Sequence, residues 1–222
     1  MQRFDIINRL ISRFDYRSYL EIGVRNPAEC FDLIQCENKT SVDPGIEMPS
    51  AKVDYRLESD EFFRQLDADS LPLRSDIRWD LVFIDGLHIS DQVLRDIDNS
   101  IRHLSPGGCI VLHDCNPPSA YCAREDYEVD GRRDAWNGTV WKAVYYVRTH
   151  KGYQDFVIRT VDTDWGVGIM MRCSSPYTIP PLTFRNRFFE YNLMAKNRER
   201  DLGLLAADQF EQWLDVVHSV RN

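Results

Sequence analysis

Residues 19–27, Tyr-Leu-Glu-Ile-Gly-Val-Arg-Asn-Pro, decide how the rest of the chain is read. A short apolar run ends at Gly23, and Asn26-Pro27 then supplies the cap and first residue of a helix expected to run through Cys36. Strand, turn and helix in that order open an α/β sheet. Upstream, Phe4, Ile7, Ile11 and Phe14 fall at three- and four-residue intervals, the stripe of an amphipathic helix. Downstream, residues 40–43 form a second strand stopped by Pro44-Gly45, and residues 52–57 suit a third. Ser59 caps a helix carrying Phe62, Phe63 and Leu66. Residues 79–85 are an apolar strand closed by Asp85-Gly86. Ser90 then caps a helix with Val93, Leu94, Ile97, Ile101 and Leu104 on one face, its end marked by Ser-Pro-Gly-Gly at 105–108. Residues 109–112 run as a strand into His113-Asp114, which completes the alternation of a doubly wound parallel sheet.

Beyond Asp114 the pattern changes. Residues 115–135 are polar and rich in turn formers, the mark of a long functional loop. A helix with Val140, Trp141, Val144, Tyr145 and Arg148 follows, then strands at 156–161 and 167–171 that make a hairpin about a turn at 162–166. The last forty residues place Phe184, Phe188, Phe189 and Tyr191 ahead of a helical stretch with Leu204, Leu205, Phe210, Trp213 and Leu214. These aromatics read as packing or as a homodimer contact rather than a substrate box. The division expected is a domain at 1–180 and a helical extension at 181–222 packed on it.

The 222 residues suit one catalytic unit. No apolar run approaches the ~20 residues that span a bilayer, and the amino terminus alternates charged with apolar residues, so a cytoplasmic protein with no membrane partner is expected. Six cysteines without a C-x-x-C pair read as reduced, buried thiols. A net charge of −8 repels polyanions, which argues against a nucleic-acid substrate.

In an open parallel sheet the ligand lies beyond the carboxyl ends of the strands. Those ends carry Glu21 and Gly23, Asp43, Asp85 and His88, and His113, Asp114 and Asn116. Asp43 follows the glycine turn by about twenty residues, the place from which a carboxylate accepts hydrogen bonds from a ribose diol, so an adenosine-containing ligand is implied. Arg25 stands where the dinucleotide fingerprint G-x-G-x-x-G needs its second glycine, which weighs against a pyrophosphate ligand.

Taken together, Y-L-E-I-G-V at 19–24, S-V-D-P at 41–44, S-D-E-F-F at 59–63, D-L-V-F-I-D-G-L-H at 80–88, L-S-P-G-G-C-I-V-L-H-D at 104–114 and T-V-D-T-D-W-G-V-G at 160–168 resemble the class I S-adenosylmethionine-dependent methyltransferases, in the small-molecule and sugar O-methyltransferase branch. The resemblance implies a Rossmann-like, seven-stranded, mostly parallel sheet with a terminal antiparallel hairpin and helices on both faces. It implies that Glu21 and Gly23 hold the methionine end of the cofactor, Asp43 the ribose, and Ser59-Asp60 the surroundings of the adenine, with Asp85 also at the cofactor. The implied activity is O-methylation of a small hydroxylated acceptor such as a sugar or nucleotide-sugar.

In metal-dependent relatives, acids after the fourth and fifth strands bind magnesium, which would fall to Asp85 and Asp114. Here His113-Asp114 stands where two acids are usual, and a hard ion prefers oxygen ligands. A metal-free alternative uses His88 or His113 as general base, with Asp85 beside them, because imidazole takes a proton near neutrality. Two further functions compete: a nucleotide-dependent oxidoreductase or epimerase on a similar sheet, and a non-catalytic scaffold of the same fold. Asn116-Pro117-Pro118-Ser119 is set aside as an amino-methyltransferase motif, because its fourth residue is not aromatic and it follows the wrong strand.

Overall fold

Helix α1 (Arg3–Phe14) opens the chain with Ile6, Ile7 and Leu10 fully buried, as the apolar stripe requires. The Asp5 carboxylate accepts from the Gln2 amide at 2.8 Å, which satisfies a donor ahead of the first turn, and Asp15 in the left-handed conformation ends the helix. The structure is a computed structural model that describes residues 1–132, 134–172 and 186–221.

The strands are β1 (Ser18–Ile22), β2 (Asn38–Val42), β3 (Trp79–Ile84), β4 (Leu104–Leu112), β5 (Phe156–Val161), β6 (Val167–Arg172) and β7 (Leu204–Leu205). They form a seven-stranded sheet in the order β2-β1-β3-β4-β6-β5-β7. β1 pairs in parallel with β2, Glu21 opposite Ser41, and in parallel with β3, Glu21 opposite Phe83. β5 and β6 are antiparallel, Phe156 opposite Arg172, which is the expected hairpin. Helices α2 (Ser59–Asp67), α3 (Ser90–Arg102) and α4 (Val140–Thr149) fall where the periodicity predicts them, except that α3 ends at Arg102 and Leu104 opens β4, and α5 (Tyr191–Lys196), α6 (Arg198–Leu202) and α7 (Phe210–Arg221) follow the hairpin.

The chain divides into two compact units. One comprises Gln2–Leu87 and Gln92–Val111; the other comprises Met1, His88–Asp91 and Leu112–Asn222. In the first unit, Leu20, Leu81, Val82 and Phe83 of the central strands are fully buried, as continuous apolar strands covered on both faces should be. In the second, Val161, Val167, Ile169, Met170 and Met171 are buried with Ala143 and Val144.

Several local expectations are corrected. The helix expected from Pro27 through Cys36 is two short 3₁₀ turns, Pro27–Glu29 and Phe31–Leu33, because Cys30 at φ −146° breaks the run between them. The strand expected at 52–57 reduces to a single bridge between Val42 and Tyr55. Ser59 is the first residue of α2 rather than its cap, which is Glu58. Ser105 to Gly108 lie inside β4 rather than marking a turn: Pro106 and Gly107 are exposed near the strand's start, where proline needs no ladder donor. Leu204 and Leu205 are a two-residue strand beside β5 rather than helix. Phe184 and Cys173 lie outside the described residues. Of the remaining aromatics, Phe188 is exposed, Phe189 meets Tyr145 edge-on and Tyr191 meets Trp141. The other five cysteines are free thiols. No described helix is long and apolar enough to cross a membrane.

Candidate active site

In the unit built from β1, β2 and β3, three acids stand at the strand ends. Glu21 is 1% exposed, and Tyr19, two residues earlier on the same face, donates its hydroxyl to Glu21 Oε2 at 2.5 Å. Burial pushes the Glu21 carboxyl up to about 8; the Tyr19 hydrogen bond opposes this, the Asp85 charge adds to it and the Arg3 charge opposes it. The Cys30 thiol beside them is raised too, first by burial and then by Glu21.

Gly23 follows at φ +87°, and a Cβ there would lie 2.3 Å from the Gly86 Cα and 2.4 Å from the Asp85 carbonyl oxygen. Only glycine therefore lets the β1 turn pass against the β3 turn, and that contact sets Asp85 beside Glu21. Asp43 at the end of β2 is pinned by backbone donors: Arg25 N–H reaches Oδ2 at 2.9 Å and Gly45 N–H reaches Oδ1 at 2.6 Å. Arg25, which breaks the dinucleotide fingerprint, holds the left-handed conformation that places this amide.

Ser59 and Asp60 are tied to α3. Gln92 Nε2 lies 3.1 Å from Ser59 Oγ, 3.2 Å from Asp60 Oδ1 and 3.0 Å from Asp96 Oδ1, and Arg95 Nε donates to Asp60 Oδ2 at 3.0 Å. Asp96 is buried, and desolvation raises its carboxyl to about 6.

The other unit gathers both histidines of interest on one carboxylate. Asp114 Oδ2 lies 3.1 Å from His113 Nδ1 and 3.4 Å from His88 Nδ1, while Asn137 Nδ2 donates to Oδ1 at 2.7 Å. His113 is 6% exposed and meets a second carboxylate, Asp164 Oδ1, 3.5 Å from its Nε2. His88 stacks on Trp136, with ring centroids 5.0 Å apart and planes at 22°, and Tyr127 lies tilted against the same indole. The loop closes on His88 through the backbone: Thr139 N–H donates to the His88 carbonyl at 2.7 Å, and a Cβ on Gly138, at φ +60°, would lie 2.1 Å from that oxygen.

Arg124 staples this loop by donating to the carbonyls of Tyr121, Tyr127, Asp134 and Ala135. Trp136 donates its indole N–H to the Arg124 carbonyl. Asn116 joins the far side, donating to Asp162 and accepting from Arg198, which also donates to the Pro117 carbonyl.

The expected residues Glu21, Gly23 and Asp85 thus come together, as do His88, His113 and Asp114. Ser59 and Asp60 stand instead in a network with α3. Sequence reading missed Arg3, Tyr19 and Asp164. Asp164 sits inside the T-V-D-T-D-W-G-V-G motif, so it had a local signal. Arg3 had none, lying one residue before the apolar stripe.

Residues 23–115 match the family described as "Methyltransferase domain". The fold is similar to that of the O-methyltransferase TomG of Streptomyces achromogenes, involved in tomaymycin synthesis and solved with S-adenosylmethionine, at 15% identity over 77% of this chain and 79% of that one, with a TM-score of 0.50. It is also similar to a proposed O-methyltransferase of Klebsiella pneumoniae, at 12% identity over 77% and 79%, with a TM-score of 0.51. No curated protein matches the chain in sequence. Residues 23–115 thus match a methyltransferase domain, and the fold around them is similar to that of solved O-methyltransferases.

Proposed function

We propose that the chain is an S-adenosylmethionine-dependent O-methyltransferase acting on a small hydroxylated acceptor, with His88 as the general base. The observation that carries the reading is the hold on His88: its Nδ1 faces Asp114 at 3.4 Å, its ring is stacked on Trp136, and Asn137 fixes the other Asp114 oxygen. An imidazole that faces a carboxylate through one nitrogen can take a proton at the other.

The donor set at the first three strand ends fits the cofactor. Glu21 and Asp85 are acids suited to the ammonium of its methionyl end, and the Gly23 turn, packed against Gly86, has no side chain to block it. Each Asp43 oxygen takes one backbone N–H and retains accepting capacity for a ribose hydroxyl. We assign Ser59 and Asp60 to the adenine side. The cofactor supplies a sulfonium-activated methyl group. The chain's part is to align the acceptor oxygen with that carbon and to receive the hydroxyl proton on His88 Nε2 as the carbon–sulfur bond breaks. Exposed aromatic faces at Tyr127 and Trp165, in the unit that carries His88, support a ring-shaped acceptor such as a sugar or nucleotide-sugar.

The residues that would hold magnesium, Asp85 and Asp114 with His113, suit it poorly. The Asp85 carboxylate faces Arg3, and the Asp114 oxygens face Asn137, His113 and His88. Arg3 stands beside Asp85 and the third member of the group is an imidazole, whereas magnesium demands near-octahedral oxygen ligation. The reaction is therefore written without a metal.

Calorimetric titration with S-adenosylhomocysteine and with NAD, each with and without magnesium, tests the cofactor class. Binding of S-adenosylhomocysteine alone is expected. Binding of NAD alone would establish an oxidoreductase or epimerase, and binding of neither a scaffold.

A further inference from the structure

The end of α4 and the start of β5 border a cavity of about 490 Å³, the size of a small-molecule site, within the unit that includes Leu112–Asn222. Tyr153, Phe156 and Ile158 give it apolar walls, and Arg148, Lys151 and Asp155 line it with charge. Arg172 adds a cation over the Phe156 ring, 4.7 Å from its centroid. From Phe156 the chain runs along β5 to Val161, and six residues of strand span roughly 20 Å. The cavity therefore lies at the far end of β5 from the turn that carries Asp164.

The charge around this cavity is unbalanced. Arg148 donates to the Ile158 carbonyl at 2.5 Å and to the Arg200 carbonyl at 3.0 Å, which leaves further N–H groups of its guanidinium unused. Its Nε is buried with no hydrogen-bond partner among the described residues, as is Nε of Arg159, one position beyond Ile158. Burial and then the repulsion of Arg159 lower the Arg148 guanidinium to about 10, and Asp201 opposes them. Asp201 is itself engaged by Arg200, whose Nε donates to it at 2.8 Å. Residues 173–185, which follow Arg172 in the chain, contain no aspartate or glutamate. Two partly buried guanidiniums thus stand together with little negative charge to meet them, an unfavourable state that an anion relieves.

We propose that this cavity binds a phosphate-bearing small molecule with an aromatic body, the phosphate against Arg148 and Lys151 and the body against Tyr153 and Phe156. The phosphate oxygens supply acceptors for the unused N–H groups, and a guanidinium fork matches their geometry. The site shares no residue with the candidate active site and does not rest on the reading of that site.

Calorimetry on the full chain with phenyl phosphate, inorganic phosphate and phenol, at fixed ionic strength, tests the proposal. Phenyl phosphate is expected to bind one-to-one and more tightly than either of its halves. Lys151 and Asp155 are exposed, so substituting them leaves the core intact. Lys151→Met should weaken phenyl phosphate binding by about 2- to 5-fold and Asp155→Asn should tighten it by a similar factor, the worth of one exposed charge. Arg148→Met should weaken it by about 10- to 100-fold, the worth of a hydrogen-bonded charge. Because Arg148 also holds two carbonyls, its urea midpoint is read alongside, and the other two variants decide the matter if it does not fold. Absence of phenyl phosphate binding would overturn the proposal. So would binding no tighter than that of phenol or inorganic phosphate, or an affinity unchanged in both Lys151→Met and Asp155→Asn.

Discussion

The Tyr19 hydroxyl donates to the Glu21 carboxylate at 2.5 Å within β1, and this bond is the main force opposing the burial that raises Glu21 to about 8. Glu21 is the acid proposed to meet the cofactor's ammonium, a task only its ionised form performs. Affinity for S-adenosylhomocysteine is therefore expected to rise between pH 6.5 and 8.5. Tyr19→Phe removes a bond to the charged form, so it should move that rise to higher pH, read by calorimetry across the range.

The same group links stability to pH. A carboxyl whose folded pKa is raised from 4.5 to about 8 contributes stability that is full below about 4.5 and is lost as pH rises through about 8. The ligand-free chain should accordingly melt lower at pH 8.5 than at pH 6, with about 1 kcal/mol corresponding to roughly 2–4 °C in a chain of this size. Asp96, raised to about 6, contributes the same sign at lower pH. Glu21→Gln should flatten the upper part of the melting curve against pH, and an unaltered slope in that variant would refute the assignment.

Gly23 fixes the distance between the β1 and β3 turns. Gly23→Ala combines a left-handed backbone with a Cβ 2.3 Å from the Gly86 Cα, and backbone rather than a flexible side chain would have to move. The expected cost is about 1–3 kcal/mol from the strained conformation alone, with further loss from displacement of Asp85. Urea unfolding reads the first, and weaker S-adenosylhomocysteine binding reads the second.

Much of this arrangement was legible in the sequence, for physical reasons that also explain what was not. Gly23, Asp43 and Asp85 announce themselves because a strand must end at a turn, and turn residues sit at the sheet's carboxyl edge whatever packs around them. Periodicity likewise located α1, α3 and the β5–β6 hairpin. It failed at 27–36, where the same residues serve two 3₁₀ turns, and at 52–57, where Tyr55 makes only one bridge to Val42, since local pattern does not record how much partner strand is present. Arg3 was invisible as a site residue, and Asp164 was passed over inside its motif, because their roles come from neighbours far away in sequence. Asp164 meets His113 across 51 positions, and Arg3 meets Asp85 across 82.

His88 and His113 contact the same carboxylate yet should respond differently to substitution. His88→Gln is expected to lower turnover by about 10²–10⁴-fold, the usual worth of a general base, while binding of S-adenosylhomocysteine is preserved. His113 lies between Asp114 and Asp164, all three nearly buried, so His113→Gln leaves two carboxylates facing each other without the imidazole. Removing one partner of such a buried set costs about 3–5 kcal/mol, visible as a lower urea midpoint. Loss of turnover in a stably folded His113→Gln, with His88→Gln active, would exchange the two roles.

Magnesium provides the remaining contrast. Arg3 stands 3.7 Å from Asp85, and Asn137, His113 and His88 stand 2.7, 3.1 and 3.4 Å from Asp114. An ion entering there would meet a guanidinium near Asp85 and would take imidazole where it prefers oxygen. Turnover is therefore expected to survive chelation, and added magnesium should leave the calorimetric affinity for S-adenosylhomocysteine unchanged. Arg3→Met sharpens the comparison, because it removes the cation nearest Asp85 and should make any latent affinity for magnesium easier to detect by titration. If chelation abolished turnover in the unaltered chain and magnesium alone restored it, Asp85 and Asp114 would be ligands first.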